Sequence, residues 1–237
     1  MSTVPVADPS FSWQEAIAAY LVVLVAAFAV TWLVTDVLGV RRTPYIGVLA
    51  FVVAGIGGWY LAWSGTSFTD IAGSNLAWGL VAGLAVAGAV TPLIRRLPRG
   101  QRTDGLRRAE LFAWEDVVYG IAEALLLAVY PVLTIWQATV AAGWTDTDSG
   151  KAVAGGLAIA GSLLVILVHH LGYAEFRTRG ARPKLLGALV TCGLQALAFL
   201  LTGALVAPIV AHIALHMELT VRGAELPPAM AVDPHHG

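Results

Sequence analysis

Long apolar runs separated by short polar loops constrain this chain more than any other feature. Seven such segments lie at 15–39, 45–64, 74–94, 112–136, 152–173, 184–202 and 203–220. A helix rises about 1.5 Å per residue, so a run of about 20 residues crosses a hydrocarbon core about 30 Å thick. Hydrophobic residues make up 58% of the chain and charged residues 12%, against roughly 45–50% and 25% in soluble domains. The sequence therefore predicts an all-α fold, a polytopic membrane helix bundle of about seven transmembrane helices.

The positions of the basic residues test this division into segments, because loops retained in the cytoplasm carry an excess of Lys and Arg. Of the fourteen Lys and Arg residues, thirteen follow the first, third, fifth or seventh segment. The exception is Lys151, in an opposite loop that also holds Asp146 and Asp148. This alternation predicts a multi-pass protein of the cell membrane, with the N-terminus outside and the C-terminus cytoplasmic. Six or eight spans would disrupt it.

By composition the chain divides into four parts and shows no separate soluble domain. They are an N-terminal segment (1–14), three N-terminal transmembrane helices (15–110), a set of core helices (111–220) and a C-terminal tail (221–237). The tail contains prolines and is expected to be disordered. Because neither Lys nor Arg precedes the first apolar run, we expect that run to remain as an anchor. The single cysteine excludes an internal disulfide, and the net charge of −1 gives no indication of a nucleic-acid partner.

Two local features bear on the helix geometry. Pro131 lies inside the fourth segment, whose apolar character continues to Trp144. Since proline removes a helical hydrogen bond, that helix is expected to be either long and bent or broken into two pieces. The sixth and seventh segments are joined only around Thr202-Gly203, which predicts a tight helical hairpin.

Ionisable side chains inside the apolar segments are candidates for a functional site. Each costs about 2.5–3.5 kcal/mol on insertion scales, so such residues usually indicate a pathway or a site. They are Glu115, Asp116, Glu123, His169, His170, His212 and His216. We expect Glu115 and Asp116 to cap a helix N-terminus, where the helix dipole favours acidic groups. The remaining glutamate and the histidines are the candidates for chemistry.

Depth in the bilayer brings these candidates together. Glu123 is reached about ten residues, or ~15 Å, into the fourth helix. The fifth and seventh helices run in the opposite direction, which places His170 and His216 in the cytoplasmic half and His212 level with Glu123. Residues four apart share a helix face, whereas His169 and His170 point about 100° apart, so only one of them is expected to face the site. One carboxylate and three imidazoles are predicted to converge on a single polar pocket.

Several kinds of chemistry are consistent with such a pocket. Glu123 as a general base, with imidazoles stabilising an oxyanion, would hydrolyse a peptide bond. Alternatively, Glu123, His170 and His212 would bind Zn²⁺, whose bound water has a pKa of about 7. A small-solute or proton pathway is a third interpretation. Helix–helix hydrogen bonds worth ~0.6 kcal/mol on average are the fourth.

The order and spacing of these residues resemble the CPBP family, the intramembrane endopeptidases that include the CAAX prenyl endopeptidase and bacteriocin-processing proteins. The segment Gly203-Ala-Leu-Val-Ala-Pro-Ile-Val-Ala-His212-Ile-Ala-Leu-His216 is similar to that family's "tGsl.apiiaHalyN" helix. It also follows an apolar span after a short connection, as in the family. This segment carries the resemblance.

The family's other two motifs are matched in part. One is an Fxxx-His motif with a Ser four residues ahead of the Phe, and Ser162, Ile166 and His170 stand at that spacing. It therefore selects His170 over His169. The other is EExxxR, which falls at 123–128, where only the first Glu is retained.

The resemblance implies a hydrolase, an intramembrane peptidase with CPBP-like core helices over 111–220. By this resemblance Glu123 would activate the attacking water with help from His170, and His212 with His216 would form the oxyanion hole. The family usually has Asn in place of His216, which also donates a hydrogen bond. This mechanism requires no cofactor, with zinc as the open alternative. The implied substrate is a membrane-associated peptide or protein in contact with the lipid bilayer.

The departures from the family leave an alternative function. The second Glu and the Arg of the first motif are replaced by Ala124 and Ala128. Their joint loss removes an opposite-charge pair without leaving either partner unpaired in lipid. The alternative is a catalytically inactive CPBP-like membrane scaffold or binding protein. The sequence indicates neither the substrate nor the oligomeric state.

Overall fold

The computed structural model describes residues 4–5, 7–96 and 106–222, and all the regular structure in these ranges is helical. The helices are α1 (Trp13–Thr31), α2 (Arg42–Ser64), α3 (Phe68–Gly73), α4 (Leu76–Ile94), α5 (Leu106–Leu111), α6 (Tyr119–Ala124), α7 (Tyr130–Ala141), α8 (Asp148–Gly172), α9 (Arg182–Thr202) and α10 (Val206–Arg222). Turns of π-helix occupy Trp32–Val37, Phe112–Val118 and Leu125–Val129. The predicted all-α fold is confirmed, whereas the predicted disorder of the tail falls largely on 223–237, outside the described residues.

Six helical stretches in the described ranges are long and apolar enough to cross a membrane: Trp13–Val37, Arg42–Ser64, Leu76–Ile94, Ala109–Ala141, Asp148–Gly172 and Arg179–Thr202. The seventh predicted segment corresponds to α10, which has 17 residues. That length is at the short end of the range for a spanning helix, about 17–25 residues. Each predicted segment therefore has a helical counterpart, and the chain is a multi-pass helix bundle.

The fourth spanning stretch is the central helix of the bundle. In the most apolar 18-residue part of this stretch 78% of the residues are buried. The corresponding parts of the other five stretches are 22–39% buried. α1 and α8 pack against α7 at one end, while α10 packs against α6 and α4 at the other. Outward-facing side chains on the surrounding helices are large and apolar, such as Phe51 (81% exposed) and Trp78 (69% exposed). Such a surface is suited to contact with lipid.

The central helix continues without interruption through Pro131. Because proline has no backbone N–H, the carbonyl of Leu127, four residues earlier, loses its helical partner. Ser162 of α8 donates its hydroxyl to that carbonyl at 2.6 Å. The π-helical turn Leu125–Val129 lies at the same place, as expected where the regular hydrogen-bond pattern is disturbed. Of the two predicted alternatives, the unbroken helix is the one observed.

Glycines allow α10 to dock closely. Gly203 ends α9 with φ +66°, a left-handed conformation that glycine adopts without strain, and α10 begins at Val206. The predicted tight hairpin is therefore confirmed. On α4, a Cβ added at Gly83 would lie 2.6 Å from the carbonyl oxygen of Ala207 on α10. Small residues at such positions let two helix backbones approach each other inside a membrane.

The expectation that Glu115 and Asp116 cap a helix N-terminus is wrong. The central helix begins at α5, well before either residue. Glu115 instead accepts a hydrogen bond from Nε of Arg42 on α2 at 2.6 Å, and both side chains are buried. Asp116 accepts a hydrogen bond from the hydroxyl of Thr220 on α10, with the two oxygens 2.7 Å apart. Both acidic groups therefore join the central helix to its neighbours.

Candidate functional site

Each carboxylate oxygen of Glu123, a buried residue of α6, has its own partners. Oε1 accepts a hydrogen bond from the Tyr119 hydroxyl at 2.6 Å and lies 3.0 Å from Nε2 of His169. Oε2 lies 2.9 Å from Nε2 of His212 and 3.3 Å from Nε2 of His216. Three imidazole rings from two helices therefore surround one carboxylate.

The structure differs from the sequence expectation in which of the adjacent histidines contacts Glu123. His169 makes the contact that the motif spacing assigned to His170. Nδ1 of His170 lies 2.8 Å from the carbonyl oxygen of Ile166, one turn earlier on the same helix. Consecutive side chains point about 100° apart, and spacing along α8 does not fix its rotation relative to α6. His169 therefore contacts the carboxylate directly, whereas His170 lines the cavity next to Glu123.

α10 brings its two histidines to the carboxylate because it approaches α6 at a glycine. A Cβ added at Gly120 would lie 3.2 Å from Cγ1 of Ile213, the neighbour of His212. The rings of His212 and His216 are stacked, with centroids 5.0 Å apart and planes 22° apart. Their four-residue spacing therefore places both rings on one face of α10, toward Oε2 of Glu123.

A ring of buried polar groups surrounds Oε1. The hydroxyl oxygen of Tyr119 lies 2.9 Å from that of Tyr173, which in turn lies 2.9 Å from that of Tyr45. Tyr45 lies 3.1 Å from Oγ1 of Thr31, and Thr31 lies 3.0 Å from Nδ1 of His169, whose Nε2 returns to Oε1. All these side chains are buried. Because they come from four different stretches of the bundle, packing fixes the direction of the carboxylate.

A second interaction orients His212. Oε1 of Gln195 on α9, a buried residue, lies 2.7 Å from Nδ1 of His212. This contact fixes the rotation of the ring, so that Nε2 points toward Glu123 and lies 2.9 Å from Oε2. His212 is therefore held beside the carboxylate through both of its ring nitrogens.

A cavity of about 390 Å³ adjoins the Oε2 side of the site. Its walls are largely apolar and come from α4, α9 and α10. Glu123, His170, His212 and His216 line it, and the exposed Lys184 lies at its edge. His169, with no exposed surface, is on the sealed side. An apolar cavity of this size with a few convergent polar groups is typical of a ligand-binding site.

Three of these residues lie close enough together to hold one metal ion. Ligand atoms of Glu123, His212 and His216 lie within 4.8 Å of one another. A catalytic zinc ion takes three protein ligands of these types and keeps one position for water. The donor set therefore fits zinc, although with His216 in the place that the sequence interpretation gave to His170.

Sequence reasoning preferred His170 to His169 and missed several other side chains that complete the site: Thr31, Tyr45, Tyr173 and Gln195. Their only signal was that polar groups stand inside or beside apolar runs, which does not indicate the helix face. Arg42 was counted only among the basic residues that set topology. It is 4% exposed, and its guanidinium carbon lies 4.9 Å from the centre of the Tyr119 ring. It therefore packs directly beside the site.

Comparisons with protein-family models, with curated proteins and with solved structures find no match for this chain. They supply neither a family nor a substrate. The function is therefore inferred from the geometry of the site and from the motif in α10.

Proposed function

We propose that the chain is a diverged CPBP-type intramembrane endopeptidase that hydrolyses a peptide bond of a membrane-associated substrate. The observation that carries the proposal is the buried carboxylate of Glu123, with His212 and His216 at the oxygen that adjoins an apolar cavity. A positioned carboxylate and adjacent imidazoles are the groups that activation of water and stabilisation of an oxyanion require.

In the proposed reaction Oε2 of Glu123 takes a proton from a water molecule. The hydroxide forms a bond to the carbonyl carbon of the scissile peptide, and the carbonyl oxygen becomes an oxyanion. N–H groups of His212 and His216 stabilise that charge. The C–N bond then breaks, and the proton held by Glu123 passes to the leaving amine. The products are a new carboxyl terminus and a new amino terminus.

The division between the two carboxylate oxygens supports this proposal. Tyr119 and His169 hold Oε1 on the sealed side. These two contacts therefore orient the carboxylate of Glu123, the proposed base. Oε2 contacts His212 and His216, which line the cavity together with Glu123, and the proposal therefore places the substrate carbonyl on this side. Helix–helix hydrogen bonding alone requires no cavity next to the carboxylate. The cavity therefore supports a role for the carboxylate beyond helix packing, and the activity of the variant below separates hydrolysis from binding alone.

Zinc-dependent hydrolysis is the second candidate, favoured by the distances among the ligand atoms. Glu123, His212 and His216 would hold the ion. Bound there, zinc would polarise the substrate carbonyl and supply an acidic water. In that case Oε2 is a metal ligand and not the base, so the two candidates differ in metal content.

The substitution Glu123→Gln tests the first proposal. Purified protein in liposomes is incubated with solubilised membrane proteins of the source cells, and new amino termini are quantified by mass spectrometry. We expect the variant to generate at least about 10²-fold fewer termini than the wild type, the usual contribution of a general base. Since Gln has nearly the same shape as Glu, the unfolding temperature in detergent serves as the control for folding. Cleavage that persists in a folded variant excludes Glu123 as the base, and a folded wild type without cleavage favours the scaffold.

Metal analysis of the same preparations separates the two hydrolytic candidates. The direct mechanism predicts activity without stoichiometric metal and no loss of cleavage on chelation. One zinc ion per chain, lost together with activity in His212→Ala, would establish the zinc mechanism instead.

We further propose that the protein lies in the cell membrane with its N-terminus outside and its C-terminus in the cytoplasm. The support is the placement of thirteen of the fourteen basic residues on one side of the predicted spans. In this orientation cleavage takes place near the cytoplasmic face.

A further inference from the structure

A second cavity, of about 640 Å³, lies between α8 and α9 and is lined by residues that the proposed reaction does not use. Its floor contains Gly155 and Gly156, and one wall consists of Leu197, Leu200 and Leu201. No atom lies within 4 Å of the position that a Cβ of Gly156 would occupy, whereas a Cβ added at Gly155 would lie 3.3 Å from Cδ2 of Leu200. The groove along α8 is therefore open at Gly156 and narrows at Gly155.

The groove has the length of an acyl chain within one leaflet. It extends from Lys151 to Ile159 on α8, about 12 Å of helix and most of the half-thickness of a hydrocarbon core about 30 Å across. Farther along, α8 and α9 close against each other, since a Cβ added at Gly193 would lie 3.0 Å from Cδ2 of Leu163. The groove is therefore blind at its deep end.

A pair of opposite charges lies at the other end of the groove. Nζ of Lys151 lies 3.1 Å from Oδ1 of Asp148, and the Asp148 side chain is fully exposed (100%). Both residues line the cavity. The mouth of an apolar groove therefore presents one ammonium and one carboxylate at the end of a predicted membrane span.

We propose that this groove binds one phosphatidylethanolamine molecule. One acyl chain lies along Gly155-Gly156, the lipid phosphate pairs with Lys151, and the ethanolamine ammonium donates hydrogen bonds to Asp148. Such charge-assisted bonds are about twice as strong as neutral ones. Phosphatidylcholine offers no N–H to the carboxylate, and phosphatidylglycerol brings a negative phosphate without a compensating ammonium. Of these three headgroups, phosphatidylethanolamine is the one that complements both charges without adding net charge.

This lipid site is separate from the carboxylate cluster. His169 lies ten residues beyond Ile159 on α8, about 15 Å along the helix axis. The inference therefore does not depend on the proposed protease activity, and its test needs no substrate.

Filling the floor of the groove tests the site. Gly156→Leu adds a side chain in open space, and Gly88→Leu on α4 is the matched control, because both glycines are exposed in helices with nothing within 4 Å. Each protein is extracted in mild detergent from cells that contain phosphatidylethanolamine, and bound phospholipid is counted by native mass spectrometry. The wild type and Gly88→Leu are expected to retain one phosphatidylethanolamine molecule per chain. Gly156→Leu is expected to retain at least about ten-fold less of this lipid.

The headgroup is tested separately with delipidated protein and vesicles of phosphatidylethanolamine, phosphatidylcholine or phosphatidylglycerol. The wild type is expected to retain phosphatidylethanolamine at least about ten-fold better than phosphatidylglycerol. In Asp148→Asn that preference is expected to disappear, because the ammonium has lost its acceptor charge.

Three outcomes would overturn the inference. Equal lipid retention by Gly156→Leu and Gly88→Leu would place the lipid elsewhere. Equal retention of the three headgroups by the wild type would contradict the role of the Lys151 and Asp148 pair. A lipid-free dimer that Gly156→Leu converts to a monomer would assign the groove to a second copy of the chain.

Discussion

The two oxygens of Glu123 lie in different environments, and the proposed reaction gives the neighbouring histidines different roles. His212 and His216 contact the oxygen beside the cavity, where in that reaction they would reach the substrate. His169 contacts the sealed oxygen and continues the ring of hydroxyl groups behind it. In the proposed reaction it would therefore be a positioning residue, acting through Glu123, whereas His170 lines the cavity without a hydrogen bond to the carboxylate.

A matched pair of substitutions, His169→Gln and His170→Gln, separates these roles. With a substrate identified by terminus profiling, we expect His169→Gln to lower kcat by about 10²-fold with little change in KM, because the base loses its orientation. His170→Gln is expected to change KM more than kcat. Steady-state kinetics measure both values, with the unfolding temperature as the control for folding. A larger kcat loss in His170→Gln would instead support the assignment by motif spacing.

Part of this site was within reach of sequence reasoning. Residues four apart on a helix share a face, so His212 and His216 were predictable as a pair, and counting residues along two antiparallel helices placed His212 level with Glu123. The choice between His169 and His170 depends on the rotation of α8 about its axis, which packing decides. Gln195 had no signal, because one amide in an apolar run does not reveal its partner.

At the scale of helices, the central helix stays continuous because other donors replace hydrogen bonds that its own backbone cannot form. Pro131 leaves the Leu127 carbonyl free, and Ser162 supplies the missing donor from α8. π-helical turns lie on both sides of α6, the helix that carries Glu123. A π-turn adds a residue to the turn, so the later side chains of the helix point in a different direction. The sequence predicted disturbance at Pro131, but not a second π-turn at Phe112–Val118.

Close packing of α4 on α10 predicts opposite effects for the same substitution at two glycines. Gly83→Ala is expected to destabilise the protein by about 1–3 kcal/mol, because the new Cβ would lie 2.6 Å from the Ala207 carbonyl oxygen. Gly88→Ala on the same helix meets nothing within 4 Å, and alanine favours the helix. Its stability is expected to be unchanged or higher.

Thermal unfolding in one detergent measures both variants. The loss for Gly83→Ala corresponds to an unfolding temperature lower by about 2–4 °C per kcal/mol for a chain of this size. Equal unfolding temperatures for the two variants would mean that α10 is not held against α4 by close backbone contact. In that case its histidines would be positioned in some other way.

For the whole molecule, the hydrophobic runs predict the number and order of helices but not their arrangement. In water an apolar face marks the core, whereas in lipid both the core and the outer surface are apolar. Phe51 is 81% exposed and Leu127 is 1% exposed, yet both stand in equally apolar runs. Because hydropathy does not separate buried from lipid-facing residues, the sequence indicated that the fourth helix is irregular but not that it is central. Its polar residues were the one indication that it faces protein and not lipid.

The orientation of the bundle is the last property that the basic residues predict, and single cysteines test it. Cys192 is 4% exposed, so it gives little background with a membrane-impermeant maleimide. Ser149→Cys precedes most of α8 and Thr178→Cys follows it, and both positions are exposed. Since α8 has 25 residues, enough to cross the bilayer, the two sites are expected to lie on opposite sides.

In intact cells we expect labelling of Ser149→Cys, whereas Thr178→Cys is labelled only after permeabilisation, because arginines on its side are retained in the cytoplasm. Val221→Cys, near the end of α10 and 44% exposed, is expected to behave like Thr178→Cys if this 17-residue helix crosses the membrane. The reverse labelling pattern at all three sites would show that the protein has the opposite orientation in the membrane. Val221→Cys labelled like Ser149→Cys would leave six spans and place the end of α10 on the outer side.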